Sequence, residues 1–196
     1  MPGGESAFAA YRPDGSSGRA KPVEGLAVRP AAPRDLRAVA EIRSERDGGP
    51  VDKWAGWAER VREGVERAPD RSAFLVAEGA CRVVGYGYAT FWEPPDDAPA
   101  NSMPAGWYLL GVCVSRAWRR RGVGARLTAA RLAWIAERAE TALYFANENN
   151  GATLDLHAAF GFREVRRGLW FPGVSFSGGA EGVLFRAELG RPRARS

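Results

Sequence analysis

Nine consecutive residues, Trp107-Tyr-Leu-Leu-Gly-Val-Cys-Val-Ser115, carry almost no polar side chain, and the chain then turns through Arg116-Ala-Trp-Arg119-Arg-Arg-Gly122-Val-Gly124-Ala125 into a helical pattern. A strand without a polar face cannot lie against water on either side, so it must sit inside a sheet covered on both faces. That requirement already directs the chain towards a mixed α/β domain with helices packed on a central sheet.

The rest of the sequence supplies the covering layers. Leu26 to Arg29 reads as a short strand, and Ala32-Pro33-Arg34-Asp35 puts an early proline and acid before a helix with Leu36, Val39 and Ala40 inward. Trp54, Trp57, Ala58, Val61 and Val65 recur at helical spacing and predict a second helix from about Asp52 to Arg67. Phe74 to Glu78 and Arg82 to Trp92 read as a hairpin turning at Gly79-Ala80, with Gly85 and Gly87 on one face beside Val83, Ala89 and Phe91, a face open to a close neighbour. Pro94 to Pro104 must be a loop. After the central strand, a helix beginning near Gly122 carries Val123, Leu127, Ala130 and Trp134 on one stripe. Ala142 to Ala146 is a strand, Asn150 to Phe160 a short helix, and Arg163 to Arg167 and Gly182 to Glu188 two last strands around a Gly/Pro/Ser-rich loop, Phe171 to Ala180.

Residues 1–25 are rich in Gly, Pro, Ser and charge without periodicity and are expected to form a disordered tail. Residues 191–196 form a short basic tail, which leaves one domain over 26–190. No apolar stretch resembles a secretory signal or approaches a membrane span. Cys81 and Cys113, both in apolar strand-like runs, are expected to be buried reduced thiols, consistent with a cytoplasmic protein. No metal site is expected.

The net charge of +5 favours a polyanionic partner without choosing among them. Lys21 and Lys53 are the only lysines among 28 basic residues, so arginine is abundant everywhere and a single arginine means little. Four arginines in the six residues Arg116 to Arg121 still exceed that background. They stand where a strand turns into a helix, where backbone N–H groups lack intrahelical partners and glycines let an anion approach. The turn is therefore a candidate phosphate site, although its spacing matches neither the dinucleotide fingerprint nor the ATP-type phosphate loop.

Arg119-x-x-Gly122-x-Gly124-Ala125 after Val112-x-Val114 resembles the acetyl-CoA pyrophosphate loop of the GNAT superfamily of N-acetyltransferases. Asn150-Gly-Ala-Thr153-Leu-Asp-Leu156-His157-Ala-Ala-Phe-Gly161-Phe162 resembles the family's second block, in the expected order, and Ala27 to Leu36 resembles a typical family start. The resemblance implies a single-domain GNAT-like fold, α/β or α+β, with a mixed sheet of six to seven strands, splayed central strands and about four helices. It also implies acetyl-CoA as the acetyl donor. The backbone amides of Arg120, Arg121, Gly122, Val123, Gly124 and Ala125 would hold the pyrophosphate, assisted by Arg119. Val112, Cys113 and Val114 would line the pantetheine arm, Val112 and Val114 pairing with it through backbone groups. The Asn150 side chain would fix an amide of that arm, and Gly111 would mark the bulge that parts the strands.

His157, the single histidine, stands where the family usually has the tyrosine that protonates the departing thiolate. Imidazole can do this, with a reference pKa of about 6.5, and a proton-donor or thiol-contacting role is expected against plain packing. Glu93 is the first candidate for the general base, with Glu148 and ordered water behind it. The Val112 N–H would supply an oxyanion donor. Trp92, Glu93, Asp96, Asp97 and Trp107 could form an aromatic, acidic mouth for a cationic amine. Cys113 is read as a packing thiol rather than an acetyl carrier.

Two other readings stay open: a CoA-binding sensor without catalysis, suggested by the absent tyrosine, and a basic nucleic-acid-binding module, which leaves the second block unexplained. The expected partners are acetyl-CoA and an amine, without nucleic acid or membrane. The Trp54 and Trp57 helix is left open to core packing or a homodimer interface.

Overall fold

In a computed structural model the structure describes residues 24–171 and 182–190; the expected tails, apart from Glu24 and Gly25, and nearly all of the Phe171 to Ala180 loop lie outside them. Seven strands form one sheet: β1 (Ala27–Pro30), β2 (Ser72–Gly79), β3 (Arg82–Trp92), β4 (Gly106–Val114), β5 (Thr141–Asn147), β6 (Arg163–Arg167) and β7 (Gly182–Glu188). Their spatial order is β1-β2-β3-β4-β5-β7-β6. Only β4 and β5 run parallel; every other neighbouring pair is antiparallel.

Four helices cover the sheet: α1 (Leu36–Asp47), α2 (Val51–Arg67), α3 (Val123–Ala136) and α4 (Gly151–Ala158). Pro33, which cannot donate a backbone hydrogen bond, opens the 3-10 turn Pro33–Asp35 that leads into α1. Arg29 clamps this entry, bonding Asp35 through Nη1 at 2.6 Å and Glu78 through Nη2 at 2.6 Å. Its guanidinium holds the Asp35 carboxyl below the usual carboxylate range.

The apolar β4 run is covered on both sides, as its composition requires. On one face Leu36, Val39, Ile42 and Ala58 of α1 and α2 pack on Phe74, Val76, Tyr86 and Cys113. On the other, Val123 and Leu127 of α3 pack on Ala73, Leu75, Ala77 and Val84. Gly85 admits this second helix, because a methyl group there would stand 2.9 Å from the Cys113 carbonyl and 3.1 Å from Val123 Cγ1.

Three expectations change in three dimensions. A register shift between Ala77 and Glu78 breaks the alternation at the start of β3. Val83 consequently packs with the α1–α2 cluster, while Val84 joins the α3 side. The hairpin turns at Ala80-Cys81, both with positive φ, since Gly79 is already paired with Arg82. Cys81 is thus an exposed turn residue and only Cys113 is buried. Trp57 of α2 packs at 5.8 Å from Tyr86 and 6.3 Å from Phe74, so that helix face serves the core.

Candidate active site

The middle of the sheet is open. β4 and β5 pair at two positions only, Tyr108 with Leu143 and Leu109 with Tyr144. Beyond them β4 continues against β3, and β5 continues against β7. Leu109 and Cys113 are buried, yet Gly111 between them is exposed although it lies mid-sheet. It is also the extra residue of a bulge: Val112 faces Gly87 and Leu110 faces Tyr88, which leaves Gly111 unmatched at a φ of 53°. Glycine suits this left-handed conformation, which a Cβ would strain.

Register decides which backbone groups face the opening. The Ser115 N–H donates to Val84 O at 3.0 Å, which makes that couple a hydrogen-bonded pair. Antiparallel pairs alternate, so Gly85–Val114 and Gly87–Val112 are non-hydrogen-bonded pairs. The amide and carbonyl groups of Val112 and Val114 therefore point away from β3, into the gap. One is already engaged: Arg119 Nε donates to Val114 O at 3.1 Å.

At the same end of β4 the chain makes the arginine-rich turn. A 3-10 turn, Arg116–Trp118, is followed by Arg120 at φ 63° and Gly122 at φ 82°, which caps α3. Gly122 O accepts from the Arg126 N–H at 3.0 Å, so the N–H groups of Val123, Gly124 and Ala125 are the open first-turn donors of the helix. Left-handed residues alternating with one of negative φ, as Arg120 and Gly122 do around Arg121, turn neighbouring N–H groups inward, a concavity suited to an anion. Arg120, Arg121 and Gly122 are exposed, and Arg121 lies 5.6 Å from the Trp118 ring. Gly124 faces α4, where Leu156 Cδ2 would stand 3.4 Å from an added methyl group.

Asn150 caps α4, its side-chain oxygen accepting from the Thr153 N–H at 3.3 Å. That leaves its amide N–H₂ as the group still able to donate. His157 is 2% exposed and stacks on Tyr144 with ring centroids 4.0 Å apart. Its Nδ1 lies 2.8 Å from Thr153 O, an acceptor only, so Nδ1 carries the proton and donates. Burial lowers the imidazole to about 4, the Thr153 bond opposing and the Arg131 charge assisting. The ring is neutral near pH 7, with its N–H committed to the helix.

Other sequence candidates are not brought here. Trp92 pairs with Gly106, six residues before Val112 along β4, so Glu93 at the end of β3 lies on the order of 20 Å away at about 3.3 Å per residue. Glu93 is exposed and paired with Arg71 at 2.8 Å, which removes it as a base acting at Val112. Trp92 packs on Tyr108 and Phe171 at 6.1 and 5.2 Å, and Trp107 on Phe91 and Trp134 at 5.4 and 5.5 Å. Both tryptophans are partly buried and pack against the core at the closed end of β4. Glu148 is engaged by Arg167 at 2.9 Å. A depression of about 220 Å³ between α4, β6 and β7 has no lining residue from β4. One buried group escaped sequence reading: Arg131, which an arginine-rich composition hides and whose neighbour Gly87 was its single clue.

A model of the acetyltransferase (GNAT) family matches residues 36–162, more than half of the chain. No curated protein sequence matches it. Among solved structures, an N-acetyltransferase from Staphylococcus aureus Mu50 superposes with a TM-score of 0.64 at 18% identity, covering 85% of this chain and 99% of that one. A ribosomal-protein-alanine N-acetyltransferase from Brucella melitensis gives 0.62 at 21%, covering 83% and 99%. A GNAT superfamily phosphinothricin acetyltransferase from Sinorhizobium meliloti, solved in complex with acetyl-CoA, gives 0.61 at 18%, covering 87% and 92%. At these identities the structures establish the shared fold.

Proposed function

The chain belongs to the acetyltransferase (GNAT) family, and on that footing we propose that it transfers an acetyl group from acetyl-CoA to a primary amine of a small molecule or peptide, by direct attack in a ternary complex. The carrying observation is the parting of β4 from β5 after Leu109, with Gly111 exposed inside a seven-stranded sheet. A slot with free strand amides along one wall and an anion-binding turn at its end fits a long amide-bearing arm that ends in a diphosphate.

Acetyl-CoA supplies an activated acyl thioester. In this reading the N–H groups of Arg120 to Ala125 hold its diphosphate, and Arg119, Arg120 and Arg121 add positive charge. Val112 and Val114 offer N–H groups to the arm, and the Asn150 Nδ2 offers a further donor. The Val112 N–H is the donor to negative charge developing on the thioester oxygen, a contribution of about 2.7–4 kcal/mol in comparable sites. His157, whose Nδ1–H is held by Thr153 O, has only an acceptor left at Nε2 and so is not the proton donor to the departing thiolate; it stays a neutral packing ring. With Glu93 too distant and Glu148 engaged, ordered water takes the proton of the amine and returns one to the departing thiolate, which leaves as the free thiol, and orientation supplies much of the rate.

The fold leaves the acceptor undetermined, since similar structures carry names as different as ribosomal-protein-alanine and phosphinothricin acetyltransferase. No helix among the described residues is long and apolar enough to cross a membrane. We place the enzyme in the cytoplasm acting as one domain over 26–190, without need of nucleic acid. Of the two α2 tryptophans offered to a homodimer, Trp57 packs on Phe74 and Tyr86, while Trp54 lies against Arg43 and Lys53 and leaves that reading open.

Calorimetry with acetyl-CoA and CoA, together with free-thiol release across a panel of polyamines, amino acids, aminoglycosides and short peptides, tests this reading. Micromolar binding with turnover of at least one amine is expected. No heat from either nucleotide on folded protein removes the assignment. Binding without thiol release from any amine favours the sensor reading, to which the neutral His157 lends weight.

A further inference from the structure

We infer that Arg131 is a positioning residue of the transfer step, holding and polarising the Gly111–Val112 peptide from beneath the sheet. This rests on the reading that the Val112 N–H meets the thioester oxygen. Arg131 is 1% exposed, and among the described residues no carboxylate forms an ion pair with it. Its acceptors are neutral: Leu127 O at 3.1 Å from Nε, Thr128 Oγ1 at 3.1 Å from Nη2, and Tyr88 O and Gly111 O at 3.3 and 3.5 Å from Nη1.

The last two carbonyls explain its position. They stand at the register shift of the β3–β4 ladder, where Tyr88 faces Leu110 and Gly111 is the inserted residue. The guanidinium serves both. It reaches them because residue 87 is glycine: a methyl group there would lie 2.8 Å from Arg131 Nε and 3.1 Å from Cζ. Gly111 C=O and Val112 N–H belong to one planar peptide and point in opposite directions. A cation on the carbonyl therefore fixes the direction of the N–H into the gap and draws electron density from it, strengthening it as a donor. Burial costs the charged form, lowering Arg131 to about 10 with the neighbouring Cys113 opposing, so it remains charged at neutral pH. An unpaired cation here gains most when negative charge develops on the far side of that peptide.

Arg131→Met keeps length and removes charge and fork, Arg131→Lys keeps charge alone, and Thr128→Val merely loosens the guanidinium should Arg131→Met fail to fold. With acetyl-CoA and the fastest amine of the panel, we expect kcat to fall about 10- to 100-fold in Arg131→Met. The fall should be smaller in Arg131→Lys and about two- to fivefold in Thr128→Val. Calorimetric affinity for acetyl-CoA should change less than about threefold in all of them. In ¹⁵N-labelled protein the Val112 amide nitrogen should shift upfield in Arg131→Met and return part of the way in Arg131→Lys. Equal losses in affinity and kcat, a kcat within twofold of the parent in the folded variants, or an unmoved Val112 resonance overturns the inference. Should the parent bind no acetyl-CoA, the enzyme reading falls, and the Val112 resonance still decides whether Arg131 governs that peptide.

Discussion

The two halves of β4 are both apolar and have opposite fates. Gly106 to Leu109 is closed: it pairs with β3, meets β5 at Tyr108 and Leu109, and is sealed by Trp92, Phe171 and Trp134 around Trp107 and Tyr108. Leu110 to Val114 pairs on one side only and leaves backbone donors facing a gap. Both halves are apolar runs that a propensity argument treats alike. Aromatic packing closes the first, whereas one glycine at positive φ, with an arginine under it, opens the second. Substitutions in the closed half should therefore cost stability, and those in the open half should cost function.

The strongest test of that contrast is Gly111→Val. A β-branched residue resists φ near +53°, with a strain of about 1–3 kcal/mol, so the bulge should re-register. We expect kcat/KM for thiol release to drop by about 100-fold or more with the chain still folded by circular dichroism. Activity within threefold of the parent would mean that the bulge does not define the slot. The counterpart is Tyr108→Ala, which removes a fully buried ring and its 2.6 Å bond to Pro104 O. Its expected cost is about 3–5 kcal/mol in urea unfolding, and the affinity of the folded fraction for acetyl-CoA should hold within about twofold.

A third test uses His157, which borders the open half. Its folded pKa, about 4, lies below the unfolded reference of about 6.5, so the fold favours the neutral ring. The resulting stability is fully present above pH 6.5 and disappears as pH falls towards 4, at most about 3 kcal/mol. His157→Phe should flatten that segment of a stability–pH curve. It should also leave kcat/KM without a lost inflection between pH 6 and 8; an inflection that vanishes with His157 would restore it as the acid. The smallest effect is expected for Glu93→Gln, which breaks an exposed pair with Arg71 and should change kcat/KM less than twofold. A larger loss would bring the distant end of β4 into the chemistry.

Much of this was readable beforehand. The strands β3 and β7 and the helix α2 lie within a residue of their expected limits, because their periodicity or apolarity is strong and local; β6 does too, although all five of its residues are exposed. The turn from Arg119 to Ala125 was located from residue type and order, and Gly111 as the bulge from the family resemblance. Errors arose where one inserted residue or a distant partner ruled. The shift at Ala77 and Glu78 exchanged Val83 for Val84, and the hairpin moved one residue and exposed Cys81. Glu93, Trp92 and Trp107 were grouped because they bracket the proline-rich loop, and the fold places them at the opposite end of β4 from Val112.

The sequence alone determined the layered architecture and the place of the arginine- and glycine-rich turn, which follow from local patterns of apolarity, glycine and charge, and its two motif blocks carried the resemblance to the family whose model matches residues 36–162. Tertiary structure alone decided which amides of β4 face the gap, that His157 is a buried neutral ring, and that one arginine among 26 is enclosed beneath the bulge. Direction, protonation and desolvation depend on what neighbouring strands and helices bring within a few ångströms, and the order of residues along a chain does not encode those distances directly.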